Sequence, residues 1–163
     1  MPVMHDTLLS LLLPILFIAH NFEEMSRVDE FQKFYCCLII PKFRDPILLK
    51  RATVFLAIFV VIVIGLNALI EGRFLEILSV IIFLAILINT LQHIATSIWH
   101  HKMLPGAYTA LFLILPYSIF LLLFSESLRL FIAQHILILF IAAYCFMVFA
   151  IYLSLACAYL TIK

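Results

Sequence analysis

Long apolar stretches determine what this chain can fold into. Five of them follow one another along the sequence, and the link at residues 71–73 is only "EGR". A bilayer core of ~30 Å needs ~20 apolar residues in a helix, and only helices or closed barrels satisfy the backbone in lipid. No segment shows the ten-residue alternation of a membrane barrel strand. The pattern predicts an all-α, polytopic membrane helical bundle.

The five predicted transmembrane helices lie near residues 8–25, 51–70, 75–101, 108–124 and 128–161. The composition agrees with this, since 67% of the residues are hydrophobic and 12% are charged, whereas about a quarter are charged in soluble domains. No stretch is polar enough to form a separate soluble domain. We therefore predict a single membrane domain over residues 1–163.

The link between the first two predicted spans, residues 26–50, is longer and more polar than the others. Within it, Val28, Phe31, Tyr35 and Leu38 recur at helical spacing among charged residues. This pattern is typical of a helix that lies in the membrane interface, with its apolar stripe buried and its basic side chains near lipid phosphates. We predict one interfacial amphipathic helix in addition to the five spans.

Basic side chains are distributed unequally between the two predicted sides of the membrane. Those on the side of the 26–50 link are Arg27, Lys33, Lys42, Arg44, Lys50, Arg51, Lys102 and Lys163, and those opposite are Arg73 and Arg129. Because basic residues accumulate on the cytoplasmic side, we predict the N-terminus outside and the C-terminus in the cytoplasm. The formal net charge of +1 gives no basic footprint for nucleic acid, so the lipid bilayer is the expected partner.

Polar side chains are concentrated at one end of two predicted spans. The first span ends in "HNFEE", residues 20–24, and the third carries Asn89, His93, Thr96 and His100 on one stripe. These two spans cross the membrane in the same direction, so both polar stretches lie on the cytoplasmic side. A charged side chain that faces lipid costs at least ~2.5 kcal/mol on insertion scales. We therefore expect the two stripes to face each other inside the bundle and to form one site.

The segment "HNFEE" and the later "HHKMLPG", residues 100–106, resemble membrane proteins named for an HXXEE motif. The resemblance covers most of the chain as far as Gly106. It implies a small multi-spanning helical domain of uncharacterised activity, so any chemistry has to be inferred from the residues themselves.

A candidate metal-ligand set consists of His20, Glu24 and His93. His and Glu side chains one helical turn apart can reach a common ion, and a third ligand from another helix gives the pattern of catalytic zinc. The predicted cofactor is a divalent metal, zinc first. The candidate catalytic residues are Glu23, Glu24, His93 and Asn89.

Each candidate catalytic residue has an expected role. Glu23 would orient a ligand or act as general base toward a metal-bound water. Asn89 or Thr96 would donate a hydrogen bond to a developing oxyanion. Tyr108 and Thr109 begin the fourth predicted span at the right depth to support the site.

Three classes of function fit these residues. The first is a metal-dependent membrane hydrolase or transferase that acts on a lipid or lipidated substrate, because a cleft at this depth would have apolar walls and a basic rim. The second is metal-free acid/base chemistry on a lipid, as in sterol isomerases. The third is a non-catalytic binding, transport or structural protein in which these side chains hold helices together. Without an inverted repeat, transport would need a second copy of the chain, so a homo-oligomer remains open.

Overall fold

The computed structural model describes residues 7–35, 45–70 and 72–161 of the chain. Within these ranges the regular structure is helical and no strand occurs, as the apolar pattern predicts. The helices are α1 (Thr7–Ser26), α2 (Val28–Tyr35), α3 (Pro46–Leu69), α4 (Arg73–Trp99), α5 (Ala107–Phe124) and α6 (Glu126–Leu160).

Local sequence signals determine where several helices begin. The Asp45 carboxylate accepts hydrogen bonds from the backbone N–H groups of Ile47 and Leu48, and Pro46 occupies the first helical turn of α3. This is a favourable helix start because the carboxylate accepts N–H groups that have no acceptor within the helix, and proline has no N–H that would need one. α3 therefore begins at Pro46 rather than near residue 51. α5 follows Gly106 and contains one π-helical turn, Ala110–Ile114.

Four of the described helices, α3 to α6, are long and apolar enough to cross a membrane. The sequence predicted five such helices, and α1 is the one that is not among the four. Its apolar part, residues 7–19, extends about 20 Å at ~1.5 Å per residue, whereas the hydrocarbon core is ~30 Å thick. The polar residues that begin at His20 shorten it.

α2 is the described part of the predicted interfacial segment. Val28 is buried, whereas Asp29 and Lys33 are exposed, so the helix is amphipathic. Residues 36–44, which the predicted segment also included, lie outside the described residues.

The helices pack around α4, whose buried residues include Val80, Phe83 and Leu84 in its middle part. A smaller apolar cluster joins α2, the beginning of α3 and the end of α6 through Val28, Leu49 and Leu155. Outward faces of the long helices are apolar; on α6 they include Leu137, Ile138 and Ile141. Exposed apolar surface of this extent fits a bilayer environment.

Candidate functional site

The centre of the candidate site is the Glu24 carboxylate, which lies between two imidazole rings. Its Oε1 atom is 3.1 Å from Nε2 of His20 and 2.7 Å from Nε2 of His93. The three side chains are 8%, 0% and 2% exposed, respectively. The two rings meet edge to face, with centroids 4.9 Å apart. The structure thus brings together the three residues that the sequence singles out as metal ligands.

Helix geometry explains this meeting. His20 and Glu24 lie one turn apart on α1, so their side chains share a face. His93 lies near the end of α4. One long helix, α3, separates α1 from α4, so a reversal of direction at each link puts the ends of α1 and α4 on the same side of the bundle. The two polar stripes therefore reach the same depth.

Nδ1 of each ring is hydrogen-bonded to an oxygen atom. One oxygen comes from the loop after α4 and the other from the first turn of α5. Nδ1 of His93 lies 2.8 Å from the Pro105 carbonyl oxygen, and a carbonyl only accepts, so this nitrogen donates. Nδ1 of His20 lies 2.8 Å from Thr109 Oγ1, which is itself 2.7 Å from Oε2 of Glu23. Because the carboxylate accepts the hydroxyl proton, His20 must donate to Thr109. Each neutral ring then presents an unprotonated Nε2 to Glu24.

Asn89 lies one turn before His93 on α4. Its Nδ2 atom is 3.1 Å from Nε2 of His20. An amide nitrogen donates, so Nε2 accepts, in agreement with the proton on Nδ1. Asn89 is therefore placed directly beside the candidate ligand atoms.

Glu23 lies at the edge of the site and bonds to α5 rather than to either imidazole. Its carboxylate accepts hydrogen bonds from the backbone N–H groups of Tyr108 at 3.3 Å and Thr109 at 2.8 Å, as well as from the Thr109 hydroxyl. A negative charge at a helix N-terminus is favoured by the unpaired N–H groups and the helix dipole. The described contacts therefore link Glu23 to His20 through the Thr109 hydroxyl, and its two expected roles, orienting a ligand and acting as general base, stay predictions.

Two further residues of the predicted α4 stripe do not join the cluster. The Thr96 hydroxyl donates to the backbone carbonyl of Gln92 at 2.7 Å. His100 is exposed, and its ring lies 4.9 Å from that of Phe34.

Gly106 brings the backbone close to both rings. It has φ 82° and ψ −15°, in the left-handed region, and a Cβ atom built there would lie 2.8 Å from Cε1 of His20 and 2.9 Å from Cε1 of His93. Glycine suits both the conformation and the contact because it has no Cβ. The backbone N–H of Leu104 donates to Ser97 Oγ at 3.1 Å, which ties this loop to α4. Sequence reasoning missed these backbone contacts, although the "LPG" turn that follows the polar stripe was visible.

α2 covers the site and is held by charged side chains. The Phe31 ring stacks over His93 with centroids 6.3 Å apart. Glu30 forms ion pairs with Arg27 and Lys102, and Arg27 also donates to the Met103 carbonyl oxygen at 3.2 Å. The hydrogen bond from Lys102, with a smaller contribution from Arg27, holds the pKa of the Glu30 carboxyl below its usual range. These contacts join α2 to the loop that holds the histidines.

We expect Glu30→Gln to loosen α2 because the substitution removes both ion pairs. Hydrogen–deuterium exchange of α2 backbone amides should rise roughly 2–5-fold, the range expected for exposed ion pairs, and high salt should produce a similar rise in the wild type. Asp29→Asn is the matched control, since Asp29 is the exposed acidic neighbour and the described contacts include no ion pair to it. Equal exchange in the two variants would contradict the role of Glu30.

A pocket of about 330 Å³ lies beside the site, between the end of α4, the following loop and the beginning of α5. Its walls include Ile94, Ile98 and Leu111, and His101 and Lys102 also line it. The pocket therefore combines apolar walls with basic side chains next to the histidine cluster.

Among the described residues, His20, Glu24 and His93 form a group whose ligand atoms all lie within 4.8 Å of one another. Two imidazole nitrogens and a carboxylate oxygen are ligands that divalent transition metals and zinc accept. This buried group could hold a metal ion.

Comparison with known proteins agrees with the motif. The model of a family described as "protein of unknown function with HXXEE motif" matches residues 11–121, a range that contains every residue of the candidate site. No curated protein and no solved structure matches the chain. The resemblance inferred from "HNFEE" is confirmed. Since the match covers more than half of its length, the chain belongs to the HXXEE-motif family of proteins of unknown function.

Proposed function

We propose that His20, Glu24 and His93 bind a divalent metal ion, with zinc as the first candidate. The observation that carries this proposal is the position of two Nε2 atoms at 3.1 and 2.7 Å from the same Glu24 oxygen. With both rings protonated on Nδ1, three lone-pair atoms lie together in a buried space, and the Asn89 amide donates to one of them, Nε2 of His20. Such atoms repel one another unless a cation lies among them.

The surroundings of the rings support the same proposal. Histidines that bind metals usually donate their other ring N–H to a carbonyl, a carboxylate or water, which fixes the tautomer and the ring orientation. His93 donates to the Pro105 carbonyl and His20 to the Thr109 hydroxyl. Two histidines and one carboxylate also form the ligand set of several catalytic zinc sites, which leave a fourth position open.

We propose further that the site serves a membrane hydrolase or transferase. A bound divalent metal would polarise a carbonyl or phosphoryl oxygen and activate water. Asn89, whose amide lies next to Nε2 of His20, is placed to donate a hydrogen bond to an oxygen that gains negative charge in the reaction. The Glu23 carboxylate accepts hydrogen bonds from the first turn of α5. We therefore propose that Glu23 holds Thr109 in place rather than transferring a proton.

The proposed substrate is a lipid or lipidated molecule with a polar head. The pocket beside the site supports this class through its apolar walls and through Lys102 and His101, which suit an anionic group. Since Phe31 and the ion pairs of Glu30 hold α2 over His93, we infer that α2 moves aside when a substrate enters.

We propose that α1 is a fifth, short span and that α2 lies in the interface, with the N-terminus outside and the C-terminus cytoplasmic. Leu13 and Phe17 of α1 pack into the main apolar core with residues of the long helices, so α1 belongs to the bundle. The excess of basic residues on the side of residues 26–50 supports the orientation.

A second candidate is metal-free acid/base chemistry on a lipid. The observation that favours it is the 2.7 Å separation of Glu24 Oε1 and His93 Nε2, which is the length of a charge-assisted hydrogen bond. In that case a proton on Nε2 of His93 takes the place of the metal ion.

Metal content separates the two candidates. Mass spectrometry of protein purified in mild detergent and supplied with zinc, iron or manganese should find about one ion per chain in the wild type. His20→Ala and His93→Ala should each lose it, because two ligands bind far more weakly than three. His135→Ala is the control, since His135 is an exposed histidine whose Nδ1 contacts only the Phe131 carbonyl among the described partners. A folded wild type without metal, even after supplementation, would exclude the metal site and favour the second candidate.

A further inference from the structure

We propose that Thr109 is the positioning residue for His20 and that Glu23 acts on the site through it. Thr109 Oγ1 lies 2.8 Å from Nδ1 of His20 and 2.7 Å from Oε2 of Glu23. This inference deepens the proposed function and rests on it, because it explains how Nε2 of His20 stays unprotonated, so that a metal ion can displace the Asn89 amide from it.

The direction of the hydrogen bonds follows from the number of protons. The Thr109 hydroxyl has one proton, and its two other neighbours, the Glu23 carboxylate and the Gly106 carbonyl at 3.2 Å, can only accept. The hydroxyl therefore offers a lone pair to His20, whose Nδ1 must carry a proton. The backbone N–H of Thr109 also donates to Glu23 at 2.8 Å, which fixes the carboxylate in place. The Asn89 amide nitrogen beside Nε2 of the same ring agrees with this tautomer but does not fix it, because a flipped amide would present its oxygen to a proton on Nε2.

The two histidines differ in how their tautomers are fixed. Nδ1 of His93 bonds to a backbone carbonyl, that of Pro105, which a substitution does not remove. Nδ1 of His20 bonds to a side chain. Thr109 is therefore the position at which a change of sequence can alter the tautomer of one candidate ligand and leave the other intact.

Capping of α5 can be separated from positioning of His20. Glu23 caps α5 through the backbone N–H groups of Tyr108 and Thr109, and both bonds survive the loss of the hydroxyl. Valine has nearly the volume and branching of threonine, so Thr109→Val removes the hydroxyl without opening a cavity. Thr109→Ser keeps the hydroxyl and is the rescue variant.

The test is long-range ¹H–¹⁵N NMR of protein labelled at its histidine rings, metal-free, in detergent at neutral pH, with the His20 signals assigned from their loss in His20→Ala. The wild type and Thr109→Ser should show His20 protonated on Nδ1 and unprotonated on Nε2. Thr109→Val should move the proton to Nε2, where Glu24 accepts it, or give a mixture of the two tautomers. His93 should keep its Nδ1 proton in all three proteins. The inference is overturned if Thr109→Val keeps the wild-type tautomer, or if wild-type His20 carries a proton on Nε2.

Zinc titration of the same proteins distinguishes this inference from the proposed function. We expect Thr109→Val to bind zinc about 10–100-fold more weakly, as for other losses of a ligand's hydrogen-bond partner, and Thr109→Ser to bind within a few-fold of the wild type. If no protein binds metal but the tautomer shifts as expected, the metal site is wrong and Thr109 still positions His20. If zinc binds and the tautomer is the same in all variants, the metal site stands and the role of Thr109 is wrong.

Discussion

Glu24→Gln should abolish metal binding and leave the protein folded. The glutamine side chain fills the same space, and its amide can donate to Nε2 of His93, which the Glu24 carboxylate faces at 2.7 Å. It removes the negative charge that would balance the metal ion in a buried site. We expect the affinity for zinc to fall by more than the 10–100-fold that the loss of an outer partner typically causes. Zinc should raise the melting temperature of the wild type and leave that of the variant unchanged.

Glu23→Gln is the matched control for this result, because it removes the neighbouring carboxylate of the same helix. The side-chain oxygen of the introduced glutamine can still accept from the Thr109 hydroxyl and the backbone N–H of Thr109. We expect zinc affinity to change by less than tenfold, on the order of 1 kcal/mol. Equal loss of zinc binding in both variants, or none in Glu24→Gln, would be incompatible with Glu24 as the ligand.

The sequence was sufficient to predict that His20, Glu24 and His93 meet. In lipid a polar side chain must face the bundle interior, and the helical repeat determines which side chains share a face. Alternate spans reverse direction, so the side of the membrane could be counted along the chain. Because the lipid and the helical repeat constrain every residue of an apolar helix, they were enough to predict the depth of the two polar stripes.

The sequence was not sufficient to predict how the rings are oriented. The partners of Nδ1 are a backbone carbonyl at Pro105 and a hydroxyl at Thr109, and neither contact follows from a helical pattern. The place of Glu23 depended on the exact start of α5, since its carboxylate accepts from two backbone N–H groups of the first turn. Helix ends are the least predictable part of a helix. For a similar reason α1 was counted as a full span, although its apolar part ends before His20.

Residues 103–109 act on both histidines at once. This segment bonds to Nδ1 of His93 through Pro105 and to Nδ1 of His20 through Thr109, and Gly106 lies between these two contacts against both rings. The Arg27 guanidinium also donates a hydrogen bond to this segment, at the Met103 carbonyl oxygen. A displacement of the loop would therefore disturb both candidate ligands and the covering helix α2 together.

Gly106→Ala should consequently have a large effect on both stability and metal binding. The left-handed φ of 82° is unfavourable for alanine, and its Cβ would lie 2.8 Å from His20 and 2.9 Å from His93. The rings cannot turn away without losing the bonds from Nδ1 to Pro105 and Thr109. Backbone strain and overpacking together should lower the free energy of unfolding by roughly 2–6 kcal/mol, measured by thermal or denaturant unfolding in detergent, and zinc affinity should fall because both rings are displaced.

Gly65→Ala shows whether this effect comes from the site or from the loss of any glycine. Gly65 lies inside α3, and a Cβ atom built there has no neighbour within 4 Å. Alanine in a helix interior is favoured over glycine by roughly 0.5–1 kcal/mol, so this variant should be as stable as the wild type or slightly more stable, with unchanged zinc affinity. If Gly106→Ala instead bound zinc and unfolded like Gly65→Ala, the loop would have room to withdraw from the rings, and residues 103–109 would not determine the orientation of the two histidines.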